Sequence, residues 1–298
     1  MTDSPVTVPS VRLSGGVEIP QVGFGTFQIP PADTQRAVEE ALALGYRHID
    51  TAEGYLNEAE VGAALRASGL PREQVFVTTK LRNADQGRET ARTAFEASRE
   101  ALGVEAVDLF LIHWPVPARD LFAETWQTLV ELLDEGAVRA IGVSNFLPEH
   151  LARIVEATGV APAVNQIEVH PTFAQPAACA ASASRGIAVE AYSPLGQGAD
   201  LSDPAVAGIA ERLGLTPGQV VLGWHLRAGR IVIPKSTHLE RMRENLGAAA
   251  VADRLTAEDL TAVDALDRGP AGRIGGDPAT FDAPQTPEDV AARFETGL

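Results

Sequence analysis

The chain has 298 residues, a formal net charge of -16 and 45% hydrophobic residues, an ordinary apolar share for a soluble globular protein with a sizeable core. The acidic balance argues against a nucleic-acid partner, and no apolar run reaches the roughly 20 residues that cross a bilayer. Cys179 is the only cysteine, which excludes an intramolecular disulfide and a cysteine metal cluster. With residues 1–10 unlike a secretory signal, we expect a cytoplasmic protein.

Short apolar segments alternate with amphipathic ones along the chain. We predict strands at 21–25, 47–50, 75–79, 107–113, 138–144, 163–168, 188–192 and 231–234. We predict helices at 33–44, 57–67, 89–102, 121–135, 149–157 and 217–227. Asn57 followed by Glu60 predicts a capping box. Glycines fall where a left-handed residue ends a helix, at Gly45, Gly103, Gly136 and Gly159.

Eight strands alternating with helices predict an α/β protein, a (β/α)₈ TIM barrel, as one domain over residues 1–298. The alternative is an open doubly wound sheet. That fold would carry GxGxxG after its first strand, whereas residues 23–28 read GFGTFQ. Residues 11–20, with Ser14-Gly15-Gly16, predict a β-hairpin that plugs the barrel. We predict loops at 193–202 and 269–287, and an extra helix near the C-terminus.

Polar residues stand at the carboxyl ends of the predicted strands. In chain order they are Asp50, Lys80, His113, Ser144, Asn145, Gln166, Tyr192 and Lys235, with Tyr55 in the loop after Asp50. Each has a simpler explanation alone, such as a helix cap, a solvated strand end or a loop histidine. A barrel collects these ends on one rim, where its catalytic groups lie, and we therefore predict an active site there.

The combination of Tyr55, Lys80, Asp50 and His113 suits protonation of an oxygen. A tyrosine is a weak acid with a pKa near 10, and a nearby ammonium lowers that pKa. A carboxylate would hold the ammonium, and a histidine would polarise a carbonyl. Carbonyl reduction needs such a site, with hydride from a cofactor.

Other reaction classes fit less well. No HExxH motif is present and we predict no metal. The sequence Gly142-Val143-Ser144-Asn145-Phe146 lacks the closing glycine of GxSxG. Asp50 and Glu168 would be a glycosidase pair, but Lys80 and Tyr55 have no role in that reaction.

The cofactor signal lies after the last strand, in Lys235, Ser236, Arg241, Glu244 and Asn245. The last three fall on one helical face, and the two cations with a helix start would bind a phosphate. The alternative is a basic surface helix with an N-cap.

Six segments together carry a resemblance. They are GYRHIDTA at 45–52 with Tyr55 and Asn57-Glu58, Thr78-Thr79-Lys80, His113-Trp114-Pro115, Gly142 to Phe146, Asn165-Gln166 and Ile233-Pro234-Lys235-Ser236. They resemble the signatures of the aldo-keto reductase superfamily, most closely its bacterial 2,5-diketo-D-gluconate reductase-like branch.

The resemblance implies a (β/α)₈ barrel that binds extended NADPH and reduces a small aldehyde or ketone, including keto-sugar acids. Tyr55 would be the general acid, and Asp50, Lys80 and His113 would complete the tetrad. The implied cofactor contacts are Gly25, Thr26, Asp50, Ser144, Asn145, Gln166, Tyr192, Ser193, Leu195, Gly196, Lys235, Ser236, Thr237, Arg241, Glu244 and Asn245. The implied substrate contacts are Phe27, Arg82, His113 and Trp114.

Two residues depart from the pattern. Arg82 stands where relatives carry Trp, so it either favours an anionic substrate or turns to solvent. His238 replaces an Arg or Thr near the expected 2′-phosphate. The alternative function is an NADPH-binding sensor subunit with little turnover, against which the intact tetrad argues. We expect a monomer.

Overall fold

The computed structural model describes residues 6–289. The described chain opens with an antiparallel hairpin of β1 (Ser10–Arg12) and β2 (Glu18–Pro20). Eight parallel strands then form one sheet within these residues. They are β3 (Phe24–Gly25), β4 (His48–Asp50), β5 (Phe76–Leu81), β6 (Val107–Ile112), β7 (Val138–Ser144), β8 (Val164–Glu168), β9 (Ala188–Tyr192) and β10 (Ile231–Val232).

The sheet closes into a barrel between its first and last strands. Val22 bridges Val232 in parallel, and the Gly25 amide donates to the Pro234 carbonyl at 3.3 Å. A Cβ on Gly25 would lie 2.9 Å from the Ile233 carbonyl oxygen, so the seam admits only glycine there. The predicted barrel is confirmed, and the alternative open sheet is wrong.

Helices cover the outside of the barrel. They are α1 (Pro31–Leu44), α2 (Glu58–Ala67), α3 (Arg88–Leu102), α4 (Phe122–Asp134), α5 (Pro148–Thr158), α6 (Pro176–Ala183), α7 (Pro204–Leu213), α8 (Pro217–Arg227), α9 (Leu239–Gly247) and α10 (Ala257–Asp264). Gly45, Gly103 and Gly159 end α1, α3 and α5 with φ of 111°, 66° and 73°, and Gly136 follows α4 with φ of 74°. These predicted stops are confirmed. No helix among residues 6–289 is long and apolar enough to cross a membrane.

The hairpin closes the end of the barrel opposite the strand carboxyl ends. Leu13 and Ile19 are buried in a cluster with inward-facing side chains of the barrel strands, such as Phe76 and Leu109. The plug thereby shields this end of the barrel interior from water and leaves the other rim as its open end.

The predicted capping box at α2 is wrong. Asn57 occupies the N-cap position, but its side chain makes no hydrogen bond to the helix. Its amide donates instead to the Thr26 and Ile29 carbonyls, each at 3.1 Å, and its Oδ1 accepts from the Thr51 hydroxyl at 3.0 Å. The fully buried Asn57 therefore ties the loops after β3 and β4 together, a tertiary use that local sequence does not reveal.

Candidate active site

Three predicted catalytic side chains meet at the open rim. The Lys80 ammonium Nζ donates to Asp50 Oδ1 at 2.6 Å, to the Thr51 carbonyl at 2.9 Å and to the Tyr55 hydroxyl at 3.2 Å. Lys80 is fully buried and Tyr55 is 8% exposed. An ammonium that leaves water needs acceptors for its hydrogens, and here all three hydrogens find an oxygen.

Electrostatics at this cluster favour a charged lysine beside a protonated tyrosine. Burial acts to lower the pKa of Lys80, but Asp50 and Tyr55 outweigh it and raise that pKa. Burial raises the pKa of Tyr55, while the Lys80 charge opposes the rise. Tyr55 thus holds its proton at neutral pH beside a charged ammonium.

The rings of His113 and Phe27 both pack against Tyr55. The His113 ring packs edge-on against Tyr55 with centroids 5.6 Å apart, and the Phe27 ring lies 5.1 Å from Tyr55. His113 directly follows β6, and its amide donates to the Leu81 carbonyl at 3.2 Å. The four predicted catalytic residues therefore do share one site.

A cleft of about 930 Å³ opens over the tetrad and runs along the rim to α9. Most of the predicted contacts line it: Gly25, Phe27, Asp50, Tyr55, His113, Trp114, Ser144, Asn145, Gln166, Tyr192, Ser193, Leu195, Lys235, Ser236, Thr237, Arg241, Glu244 and Asn245. The exposed residue His238 lines it as well. The cleft is therefore elongated, with a buried polar end at the tetrad and a basic end near α9.

Three predicted contacts are not part of the cleft wall. Thr26 is fully buried, and its hydroxyl donates to the Asp50 carbonyl at 3.1 Å, so it supports the site from behind. Gly196 is packed so closely that a Cβ would lie 2.5 Å from an Asp200 carboxylate oxygen.

Arg82 is the third of these residues. Its guanidinium pairs with Glu53 Oε1 at 3.1 Å and with Asp85 Oδ2 at 2.6 Å. The acidic side chains of Glu53 and Asp85 thereby bind this cation and hold it beside the cleft rather than in it. The structure thus gives neither predicted role, because Arg82 neither faces the cleft nor turns freely to solvent.

The middle of the cleft is a rigid polar cradle. The Tyr192 hydroxyl donates to Asn145 Oδ1 at 2.9 Å. The Asn145 amide donates to the His113 carbonyl and the Ser144 hydroxyl, each at 3.0 Å. Asn145 takes a left-handed conformation with φ of 63°, which asparagine tolerates better than most residues. This arrangement fixes an amide, a hydroxyl and a phenol ring in the wall of the cleft.

The far end of the cleft carries Lys235 and Arg241. Among residues 6–289 neither has a salt-bridge partner. Partial burial lowers the pKa of Lys235. In a chain of charge -16, two cations left without carboxylates and beside the start of α9 fit an anionic group. Glu244, predicted to contact adenine, accepts a hydrogen bond from Thr216 at the same end.

The C-terminal segment supplies cleft residues that sequence patterns did not predict. Phe281 stacks on Trp114 with ring centroids 4.1 Å apart and planes inclined by 30°. Gln285 is 7% exposed and packs against Gly54, next to Tyr55. Ala84 and Asn83 hold this segment through hydrogen bonds to the Pro284 and Ala283 carbonyls.

A buried ionic cluster anchors two loops behind the cradle. His170 binds Glu168 Oε1 through Nε2 and Asp200 Oδ2 through Nδ1, both at 3.0 Å. Glu168 also accepts from the Ile274 and Gly275 amides at 2.6 and 2.8 Å. Glu168 is therefore committed to this cluster, which contradicts its alternative role in a glycosidase pair.

Known proteins resemble this chain along most of its length. A family model described as the aldo/keto reductase family matches residues 21–268. An aldo-keto reductase of Mycolicibacterium smegmatis is 50% identical over 273 residues, covering 92% of this chain and 98% of that protein. Methylglyoxal reductase DkgA of Yersinia pestis is 44% identical over 275 residues, covering 92% and 97%.

Solved structures give the same result. The crystal structure of a mutant of Gox0644 in complex with NADPH superposes with a TM-score of 0.88, at 44% identity, covering 92% of this chain and 99% of that one. An aldo/keto reductase from Brucella melitensis superposes with a TM-score of 0.85 at 47% identity, covering 88% and 99%. On the match of the family model and of relatives along nearly their whole length, the chain belongs to the aldo/keto reductase family.

Proposed function

We propose that this protein reduces small aldehydes and ketones to alcohols with NADPH, with Tyr55 as the general acid. One observation carries the proposal: the Tyr55 hydroxyl lies at the cleft surface and is 3.2 Å from a buried Lys80 ammonium that is paired with Asp50. This arrangement stabilises the phenolate that forms when the proton is donated.

NADPH, when bound in this cleft, would supply the hydride for the carbonyl carbon. The Tyr55 O–H bond breaks and its proton passes to the carbonyl oxygen, which becomes the alcohol hydroxyl. The Lys80 charge then faces the phenolate, and solvent returns the proton. His113, on the same wall, polarises the carbonyl before transfer.

The cleft chemistry fits the cofactor. Lys235 and Arg241 offer uncompensated positive charge for a 2′-phosphate, and Ser144, Asn145 and Gln166 offer polar groups for a carboxamide. Tyr192 offers a ring face for stacking. The neighbouring Gox0644 structure, described as a complex with NADPH, supports this assignment.

The substrate end of the cleft favours uncharged carbonyls over keto-sugar acids. Its described wall consists of Phe27, Gln28, Tyr55, His113, Trp114, Phe281 and Gln285. Aromatic faces bury flat apolar groups favourably, whereas an unpaired carboxylate there would lose hydration without a counter-charge. The Arg82 cation that would have served as one is already paired with Glu53 and Asp85. The Yersinia pestis relative carries the name of a reductase for a small neutral dicarbonyl.

The test is a panel of matched neutral and anionic carbonyls, assayed by oxidation of NADPH and of NADH. We expect steady turnover with NADPH and a kcat/KM at least about tenfold higher for the neutral member of each pair. Tight NADPH binding with no turnover across the panel would instead establish the sensor alternative. The proposal also includes action as a monomer and a cytoplasmic location, in which the free thiol of Cys179 would stay reduced.

A further inference from the structure

A second carboxyl group lies inside the barrel beneath the catalytic cluster. Glu190, in the middle of β9, is fully buried and stands in register with Gln166 of β8. The Gln166 amide nitrogen donates to Glu190 Oε2 and to Asp50 Oδ2, each at 2.8 Å. Glu190 touches neither the Tyr55 hydroxyl nor the Lys80 ammonium by a hydrogen bond, so the tetrad itself does not account for it.

The two carboxyl groups decide the orientation of Gln166. An amide nitrogen has two hydrogens, and here one goes to each acidic side chain. The reverse orientation would place the amide oxygen against the Asp50 carboxylate, which has no hydrogen to donate, whereas Glu190 Oε2 can accept from the amide nitrogen whether or not the acid carries a proton on Oε1. The carbonyl oxygen of Gln166 is therefore the group left for the cleft, which Gln166 lines. An acceptor at that place suits the NH₂ of a nicotinamide carboxamide.

We propose that Glu190 is a positioning residue for the cofactor: by binding Gln166 it presents the Gln166 carbonyl oxygen to the nicotinamide, and its ionisation shifts the preference of the site from NADPH towards NADP⁺. The inference rests on the proposed NADPH-dependent function and assigns no chemical step to Glu190.

The effect of Glu190 ionisation on the cofactor preference follows from the charges around Glu190. Burial raises the pKa of Glu190 to about 8, and repulsion from Asp50 adds to it, while Gln166 and Lys80 act in the opposite direction. His48 of β4 lies 3.5 Å from Glu190 Oε1, and burial lowers the pKa of His48 to about 3, so this neighbour is neutral. Tyr55 is also coupled to the cluster, since charge on Glu190 raises the pKa of Tyr55.

At pH 7 Glu190 is accordingly an uncharged acid, and the Lys80–Asp50 pair leaves the cluster neutral. Above pH 8 Glu190 becomes a carboxylate and the cluster carries one negative charge. The oxidised nicotinamide ring is cationic and the reduced ring is neutral. A buried negative charge next to the ring's binding groups therefore stabilises NADP⁺ relative to NADPH.

The test measures binding of NADPH and NADP⁺ by fluorescence titration from pH 6.5 to 9.5, without substrate. In the wild type we expect the ratio of NADP⁺ to NADPH affinity to rise about threefold or more through pH 8. Glu190→Gln reproduces the uncharged acid and should bind both cofactors as the wild type does at pH 7, with a ratio that stays flat. Glu53, whose pKa burial also raises to about 8, is unchanged in this variant, so the comparison isolates Glu190.

Glu190→Leu removes the acceptor and should weaken both cofactors about tenfold at pH 7. Adenosine 2′,5′-bisphosphate, which reaches only the Lys235 and Arg241 end, should bind this variant as it binds the wild type. Equal loss of that fragment would mean that the barrel is disturbed, and the inference would then stand or fall on the pH profile of Glu190→Gln alone.

Two results would overturn the inference. One is a Glu190→Gln variant whose affinity ratio follows that of the wild type through pH 8. The other is a folded Glu190→Leu variant that binds both cofactors normally. Either result would leave the proposed function intact if the wild type still oxidises NADPH with a carbonyl substrate, whereas failure of that turnover would overturn the proposed function itself.

Discussion

The Lys80 ammonium lies 3.2 Å from the Tyr55 hydroxyl and 4.8 Å from the centroid of the Tyr55 ring. Lys80 lies near the end of β5 and Tyr55 in the loop after β4, and both side chains are buried at the barrel rim. Because the ammonium is buried together with its counter-ion Asp50, its field acts on the phenol with little screening from water. This contact links the fold to the proposed chemistry.

Lys80→Met should therefore lower kcat about 10²-fold or more, because the phenolate loses its stabilising charge. NADPH affinity should change little, since Lys80 does not line the cleft. Steady-state kinetics and a binding titration measure the two effects. Arg82→Met is the matched control, because Arg82 is a nearby cation paired outside the cleft. Similar kcat losses in both variants would contradict the assigned role of Lys80.

Arg241→Ala should weaken NADPH binding about tenfold or more and leave NADH binding nearly unchanged, because Arg241 would contact only the 2′-phosphate. Arg243→Ala is the control, since Arg243 is an exposed cation on the same helix and does not line the cleft. Dissociation constants for both cofactors provide the measurement. An equal loss of NADPH and NADH affinity in Arg241→Ala would remove the proposed phosphate contact.

Phe281→Ala should raise KM for aromatic aldehydes about tenfold, because it removes the ring that stacks on Trp114 at 4.1 Å and with it one apolar wall. The effect on small aliphatic aldehydes should be much weaker, and kcat should hardly change. Kinetics with a matched aromatic and aliphatic pair test this. An equal rise in KM for both substrates would show that the stacked pair does not select aromatic groups.

The cluster of Glu168, His170 and Asp200 should make stability fall in alkaline solution. Burial acts against the charged form of His170, but Asp200 and Glu168 outweigh it and raise its pKa to about 9. A raised histidine pKa contributes stability that is complete below the unfolded pKa of about 6.5 and is lost as pH rises through about 9. The full contribution is about 3 kcal/mol.

Thermal unfolding of the wild type and of His170→Gln at pH 7 and pH 10 measures this contribution. The melting temperature of the wild type should drop further between these pH values than that of the variant. His238→Gln, at an exposed histidine, should behave as the wild type does. If the melting temperature of His170→Gln fell as far as that of the wild type, the loss of stability at alkaline pH would come from other groups.

The sequence predicts that the tetrad side chains lie together because a barrel brings the carboxyl ends of its strands to one rim. Asp50, Lys80 and His113 stand at such ends or directly after one, so their meeting requires only that the strands be identified. The family is confirmed by the comparisons, whereas the branch of the family stays a prediction.

Side-chain partners are harder to predict than positions. Arg82 is correctly placed after β5, but its pairing with Glu53 depends on a contact across two loops. Thr26 follows Gly25 on the cofactor side, yet its side chain turns inward to the Asp50 carbonyl. Neither direction is fixed by local pattern, since loop residues have no regular alternation.

Some helices and cleft residues were missed because their sequence patterns are weak or were overlooked. Helix α6 consists mostly of alanines and lacks an amphipathic period, whereas α7 carries a recognisable start, with Pro204 at its first position and Asp203 capping the Ala205 amide. Phe281 and Gln285 lie in a segment without periodicity that reaches the cleft only through long-range contacts. Glu190 did give a signal, as a carboxylate in the middle of an apolar strand.

The most direct test of the account is the single-turnover rate of NADPH oxidation by Tyr55→Phe, with a neutral aromatic aldehyde and saturating cofactor. Phe keeps the ring that packs against Phe27 and His113 and removes only the proton donor. We predict a rate about 10³-fold below that of the wild type, with an unchanged dissociation constant for NADPH. A rate close to that of the wild type would contradict the assignment of Tyr55 as the general acid.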